Sequence, residues 1–362
     1  MTIDELANGR NNNFNLIRMA AAIAVLFSHS FLIVGAAEPL WTTFNVTWGI
    51  VAVDVFFVTS GFLVAASLLT RNGALDFLWA RGLRIYPALW LMIGITVFVI
   101  GAFFTTHALR SYFTDRVTWH YLVKAGTLVD GLHYALPGVF ETAPLKGAVN
   151  GSLWTLVPEI WMYALLLRVW LGAFIARGRR VAVMRFAIVT IAIVSGAWYL
   201  HQGLFEPATS NYPRFAFMFF TGASYFVLKH KIELHPVIFW ALLSMIALSL
   251  LNRTAFFFVF NIALAYVLLY AAYVFSGRIR LYNRLGDYSY GFYIYAFPVQ
   301  QSLASMVHGI SVALLMLSSA ALTFVLAALS WHLLEKRALG LKTVCANRTR
   351  DWAHSMWHFV AS

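Results

Sequence analysis

Ile17-Arg18-Met19-Ala20-Ala21-Ala22-Ile23-Ala24-Val25-Leu26-Phe27-Ser28-His29-Ser30-Phe31-Leu32-Ile33-Val34 is an apolar run with a cation near its start and an imidazole near its end. At 100° per residue, the steps from Arg18 to His29 return a helix to within about 20° of its first direction. Both side chains therefore fall on one face, about 16 Å apart along the axis. The run has the length that an α-helix needs to cross a hydrocarbon core, about 20 residues. An ionisable side chain facing lipid costs several kcal/mol, so His29 is a candidate functional residue turned toward a bundle interior.

Runs of this kind recur along the chain. We read about ten helical spans, at roughly 16–35, 48–69, 85–104, 152–172, 186–202, 213–228, 236–251, 255–275, 288–307 and 310–334. A composition that is 61% hydrophobic and 11% charged, with a mean hydropathy of +0.75, leaves too little polar surface to cover a water-soluble globule. A β-barrel would show shorter, alternating segments. The expected fold is all-α, a polytopic transmembrane helix bundle.

The net charge of +12 follows the spans and is not a nucleic-acid footprint. Of the 26 Lys and Arg, only Arg110, Arg116, Lys124, Lys146, Arg214 and Arg253 fall in segments across the membrane from the N-terminus, and Arg168 lies within the fourth span. The others, from Arg10 to Arg350, lie on the N-terminal side, a positive-inside pattern that puts both termini in the cytoplasm of a cell-membrane protein. Val34-Gly35-Ala36 has the small residues of a signal-peptide cleavage site, but the run is longer than a typical signal core and the charge pattern requires it as a span. Cys345, the single cysteine, permits no intrachain disulfide and is expected in the cytoplasmic tail.

Residues 1–341 read as one membrane domain. Residues 342–362 read as a basic tail in which Trp352, Met356, Phe359 and Val360 recur at helical spacing, as in an amphipathic helix lying on the inner leaflet. Residues 105–151 form a long outer connection that carries His107, Arg110, Asp115, His120, Asp130, His133 and Glu141, and it is either an acceptor-binding segment or a plain surface lid.

Depth sorts the polar residues of the spans. His29, Asp54 and Glu159 each lie about 10 Å from the outer end of their helices and could share one layer. An imidazole oriented by a carboxylate is a competent general base toward a hydroxyl, and either Asp54 or Glu159 could supply that carboxylate. The competing structural reading makes His29 interhelical glue, bonded to Ser28, Ser30 or a neighbouring helix. At the inner end, Arg81-Gly82-Leu83-Arg84 followed by Ile85-Tyr86-Pro87 places two guanidinium groups at an expected helix start beside Arg18. Such a trio suits phosphate, through bidentate hydrogen bonds and helix-end amides. No Walker loop, dinucleotide fingerprint or zinc motif occurs, so no metal or bound cofactor is expected.

Six stretches follow one another in order. They are Phe14-Asn15-Leu16-Ile17-Arg18 with His29, Asp54-Val55-Phe56-Phe57-Val58-Thr59-Ser60-Gly61-Phe62-Leu63, and Phe77-Leu78-Trp79-Ala80-Arg81-Gly82-Leu83-Arg84-Ile85-Tyr86-Pro87-Ala88. Asn150-Gly151-Ser152-Leu153-Trp154-Thr155-Leu156 with Glu159, Gly286-Asp287-Tyr288-Ser289-Tyr290 and Trp331-His332-Leu333-Leu334-Glu335-Lys336 complete the set. Taken together they resemble acyltransferase family 3, the integral membrane O-acyltransferases of cell-surface and secreted glycans.

The resemblance implies that acyl-CoA, usually acetyl-CoA, is a cytoplasmic donor substrate, that a sugar hydroxyl of a polysaccharide or lipo-oligosaccharide is the acceptor, and that Arg18, His29, Arg81 and Arg84 are critical. Many members carry a His two residues before the proline of the ninth-helix motif, where this chain has Ala296, so no role of that His carries over. The soluble domain appended in some relatives is also missing from the pattern. On this reading Arg81, Arg84 and Arg18 hold the CoA phosphates and His29 acts as general base or carries the acyl group. Two rival functions fit parts of the pattern: a proton-coupled secondary transporter with His29, Asp54 and Glu159 as relay, and a glycosyltransferase using a lipid-phosphate donor.

Overall fold

The computed structural model describes residues 1–7, 11–71, 73–128, 135–205 and 210–361. Arg10, Asp130 and His133 lie outside the described residues, as do the side chains of Phe359 and Val360. Among the described residues the molecule is helical and has no β-strand, with two isolated bridges, Thr2 to Glu233 and Thr105 to Val139. Seven helices among the described residues are long and apolar enough to cross a membrane.

Helix α1, Phe14–Val34, contains both Arg18 and His29. Its start is fixed by Asn13, whose Nδ2 donates to the carbonyls of Ala271 and Phe275 at 2.9 and 2.8 Å and satisfies acceptors at the end of a distant helix. Its end is set by Gly35 at φ 77°, a left-handed position that lets the amides of Gly35 and Ala36 bond back to Leu32 and Phe31. Helix α2 is Trp48–Arg71.

Helix α3, Ala74–Ile95, continues through a π-helical turn, Thr96–Gly101, to Phe104. It starts well before the expected residue 85. Phe77 and Ala80 recur on the buried face while Arg81 and Arg84 interrupt the apolar run, so a search for continuous hydrophobicity misses the first three turns. This corrects the expected helix start, and with it the helix-end amides expected beside the two arginines. Arg81 and Arg84 sit inside the helix, away from its free amides, and Pro87 is an interior residue that removes one backbone donor.

The connection 105–151 is partly structured. Asp115 accepts from the Val117 amide at 2.8 Å to cap α4, Arg116–Thr127, and the buried Tyr112 hydroxyl donates to the Val97 carbonyl of the π-helical turn at 2.9 Å. There follow α5, Leu156–Gly172, α6, Arg180–Phe205, α7, Tyr212–Val227, α8, Pro236–Ser249, α9, Arg253–Tyr273, α10, Ser289–Met306, and α11, Val312–Ser330. Of these, α7, α8 and α10 have 16, 14 and 18 residues and are not among the seven.

A second π-helical turn, Trp331–Glu335, and a short helix, Lys336–Gly340, lead from α11 to α12, Lys342–Ala361. The tail is thus helical, with Trp352 and Met356 exposed. It is tied to α3: Trp79 Nε1 donates to Thr349 at 3.0 Å and Arg350 pairs with Asp76.

At the core, α2 and α7 touch backbone to backbone. A Cβ on Gly61 would lie 1.8 Å from the Phe219 carbonyl oxygen, and one on Gly222 would lie 2.0 Å from that of Val58. Contact this close between helices is available only where small residues face each other.

The two ends of the bundle are distinct. The N-terminal end gathers Thr2, Asn13, Asp76, Arg84, Asp287 and Glu335, joined to neighbouring segments by the bridge to Glu233, by hydrogen bonds and by ion pairs. The opposite end gathers the segment after α1, the start of α9 and residues 145–148 before α5, joined by contacts such as Phe44 with Phe256 and Gln301 with the carbonyls of Leu145 and Ala148.

Candidate active site

His29 lies on the last third of α1 and lines a cavity of about 360 Å³ toward the end opposite the N-terminus. Ser28, Glu38, Trp41, Trp154, Arg214 and Tyr293 share the lining. The half-buried imidazole packs edge-on against Phe297, with ring centres 5.1 Å apart, and its buried Nδ1 has no hydrogen-bond partner. The ring is therefore held by an apolar contact while a nitrogen is left open. This geometry does not fit interhelical glue: Ser28 bonds Glu38, and Ser30 donates to the Leu26 carbonyl and accepts from Gln300.

The expected carboxylate partners are engaged elsewhere. Asp54 is buried on α2, and its Oδ1 accepts from Arg214 Nε of α7 at 2.8 Å. Arg214 also donates to the Ile50 carbonyl at 2.6 Å and is itself 5% exposed, so it is an interior cation and not the loop charge expected from the sequence. Glu159 on α5 accepts from Ser60 of α2 at 2.8 Å and from Tyr163. Neither carboxylate bonds His29.

The carboxylate in the wall of the histidine's cavity is Glu38, from the segment after α1. Its Oε2 accepts from Ser28 at 2.7 Å and its Oε1 from the Trp48 amide at 2.5 Å, which ties the end of α1 to the start of α2.

At the N-terminal end the three arginines gather. Arg84 donates to Glu335 at 3.1 Å and to Asp287 at 2.5 Å, and Arg18 approaches the same Asp287 oxygen at 3.7 Å. Arg84 lies between the rings of Tyr290 and Trp331, at 5.4 and 5.8 Å, and Arg81 lies 6.0 Å from the ring of Tyr163. The Nε atoms of Arg18 and Arg81 are buried without partners. Asp287, just outside α10, is held below the usual carboxylate range: burial would raise it, but Arg84 and Arg18 outweigh burial and Ser289 adds a hydrogen bond. These residues carry unspent donors suited to an anion.

A smaller cavity, of about 30 Å³, adjoins the His29 cavity on the side of Arg18. Arg18, Phe56, Thr155, Glu159 and Tyr290 line it, and Val53 and Tyr293 belong both to its wall and to that of the His29 cavity. Tyr293 is fixed between them by hydrogen bonds to the Ser152 carbonyl and Thr155 hydroxyl, each 2.6 Å. Arg18 and His29 thus face successive cavities along one helix.

Sequence reasoning did not single out Glu38, Arg214, Asp287 or Glu335. A usable signal existed for Arg214, because a carboxylate at the depth of Asp54 requires an interior cation. For Glu38 there was none, since its burial follows from the fold of the segment after α1.

Residues 11–332, nearly the whole chain, match the family described as "Acyltransferase domain", and the chain belongs to acyltransferase family 3. The protein is an acyltransferase enzyme carried on membrane-spanning helices. It is similar to "O-acetyl transferase" of Shigella phage Sf6, with 28% identity over 91% of this chain and 96% of the relative. It is similar also to "Nodulation protein 10" of Rhizobium leguminosarum bv. viciae, with 28% identity over 94% of this chain and 96% of that protein. No solved structure matches the chain.

Proposed function

We propose that this protein is an O-acyltransferase of the cell membrane that moves an acyl group, acetyl in the first instance, from cytoplasmic acyl-CoA to a hydroxyl of a glycan. The observation that carries this reading is the pair of cavities sharing Val53 and Tyr293, with Arg18 on one and the open imidazole of His29 on the other. The reading has ten spans and both termini in the cytoplasm, supported by the distribution of Lys and Arg. The similarity to the phage O-acetyl transferase supports acetyl as the group and oxygen as the acceptor atom.

In the proposed mechanism Arg18, Arg81 and Arg84 bind the CoA phosphates, and the thin pantetheine arm runs along α1 toward His29. The imidazole takes the proton of the acceptor hydroxyl as its oxygen bonds to the thioester carbonyl carbon. The carbon–sulfur bond then breaks, and the CoA thiolate takes a proton. Transient acylation of His29 is the two-step form of the same chemistry. Asp54 and Glu159 act through the helices they join: Asp54 fixes Arg214 beside the cavity, and Glu159 fixes Ser60 and Tyr163.

The test is transfer of label from radiolabelled acetyl-CoA to the glycan fraction of membranes, with mass spectrometry of surface glycans from cells with and without the gene. The expected result is an acetyl mass difference that is lost in His29→Ala. Proton-coupled solute uptake without label transfer, or sugar transfer from a lipid phosphate, would replace this reading with the transporter or the glycosyltransferase.

A further inference from the structure

A second polar cleft adjoins the His29 cavity. It has a volume of about 410 Å³ and opens at the same end of the bundle, between the end of α6, the starts of α7 and α9, and the segment that follows α1. Ile50 and Arg214 belong to the walls of both, so the two form neighbouring compartments with the Asp54-held guanidinium at their junction.

The chemistry of the cleft is selective. Asn45, Gln202, Asn211, Arg253 and Thr254 offer amide, guanidinium and hydroxyl groups, and Tyr199 and Phe257 pack together at 5.3 Å to give an aromatic wall. No carboxylate lines it among the described residues. Gln202 is 5% exposed, and its Oε1 is buried without a hydrogen-bond partner. A buried acceptor left open costs free energy that a donor from a ligand would recover.

The adjacent cavity, about 530 Å³, has a more apolar wall, with Val194, Trp198, Pro213 and Ala216 in it, and it shares Gln202 with the cleft. The cleft is mixed in kind, with polar groups set among apolar ones. Amides and a guanidinium for hydroxyls, with aromatic faces for C–H surfaces, are the groups that bind a saccharide.

We infer that the cleft lined by Gln202, Asn211, Arg253 and Thr254 is the acceptor subsite, binding the sugar residues that flank the acylated one, so that the reacting hydroxyl passes Arg214 to reach His29. This rests on the proposed glycan O-acylation and adds where the acceptor binds. Beyond neutralising Asp54, Arg214 is then the cation that a saccharide chain meets on crossing between the compartments.

The experiment uses the full-length protein in membranes of a deletion strain, with that strain's own extracted, unacylated surface glycan titrated as acceptor against radiolabelled acetyl-CoA. Asn211, Arg253 and Thr254 are exposed, so Asn211→Ala, Arg253→Ala and Thr254→Val leave the core untouched, and Gln202→Leu tests the buried acceptor. The expected result is a rise of about threefold or more in the KM for glycan in each variant, and about tenfold in Asn211→Ala/Arg253→Ala, with the KM for acetyl-CoA unchanged. An unchanged glycan KM in the three exposed variants overturns the subsite and leaves the glycan reading standing. A rise in the acetyl-CoA KM instead, or activity that follows lipid composition and not glycan concentration, overturns it as well. If the wild type transfers no acetyl to glycan, the underlying reading fails first and the subsite with it.

Discussion

At the scale of the residue, Arg214 and Asp54 show how a bilayer-depth charge is made tolerable. Each is nine-tenths buried or more, and each satisfies the other with a 2.8 Å hydrogen bond. Removing one partner leaves an uncompensated interior charge, which costs about 3–5 kcal/mol. Asp54→Ala and Arg214→Ala should each lower the thermal midpoint of the detergent-solubilised protein markedly. The double variant should melt above the sum of the two losses, because the second removal takes away a charge that is already unpaired. Strictly additive losses in the double-mutant cycle would refute the coupling.

His29 predicts a different pattern. On the proposed mechanism His29→Ala lowers transfer by about 10²–10⁴-fold, the usual contribution of a general base, with little change in melting. A melt that falls as far as the rate would make His29 a packing residue.

The sequence made Arg18 and His29 legible because both interrupt one apolar run, and helical spacing alone puts them on one face. Asp54 and Glu159 were legible as candidates by depth. Their partners were less so: Tyr163 follows Glu159 by one helical turn and an interior cation was called for at the depth of Asp54, but Arg214 and Ser60 approach from other helices, and no local pattern encodes which residue arrives. Glu38 illustrates the limit: it stands in a polar segment where nothing local distinguishes a buried carboxylate from a solvated one.

At the scale of the element, the α2 and α7 contact carries the sharpest expectation. Gly61→Ala or Gly222→Ala forces a methyl group to within 2 Å of a carbonyl oxygen unless the helices part. Overpacking costs about 1–3 kcal/mol in an ordinary core, and backbone offers less give than side chains do, so the cost here should be at the upper end or above. Size-exclusion profiles after heating should show either variant losing its monodisperse peak at a lower temperature than the wild type. Gly82→Ala, where the added Cβ meets nothing within 4 Å, should be stable by the same assay.

The tie between α12 and α3 predicts the contrary. Arg350 and Asp76 are partly exposed, and pairs of that kind contribute about 0–1 kcal/mol. Arg350→Ala should leave the melting curve within that margin, and a larger drop would mean that α12 is held mainly by its charge. The start of α3 was the element least legible in sequence. Its first turns mix cations with apolar residues, and only the burial of Phe77 and Ala80 shows that the helix has already begun.

At the scale of the whole molecule, the all-helical bundle was readable from composition and run length alone, because lipid leaves a spanning backbone few options. The seven longest apolar helices carry that signal directly. The shorter α7, α8 and α10 do not: α10 is buried along most of its length and carries Gln300 and Gln301 inward, so its apolar content is diluted by polar groups that the bundle itself satisfies.

Acid should loosen the N-terminal end of this bundle. The Asp287 carboxyl is lowered in the fold, so its contribution is present above the carboxylate range of the unfolded chain and is lost as pH falls through the lower folded value. Melting curves taken at descending pH should therefore fall, and Asp287→Asn should flatten that dependence. An equally steep fall in Asp287→Asn would assign the acid sensitivity to another group.

The same carboxylates give the arginine cluster an unexpected character. Arg84 is already matched by Asp287 and Glu335, and Arg18 leans on Asp287. On the proposed reading, an incoming polyphosphate would meet Arg81 and the open Nε donors first and would then have to loosen the carboxylates that Arg84 and Arg18 already hold, as on an ion-exchange resin. On that reading the site would resist small stray anions and yield to a ligand that brings several charges at once, and weakening a resident anion should make it less discriminating.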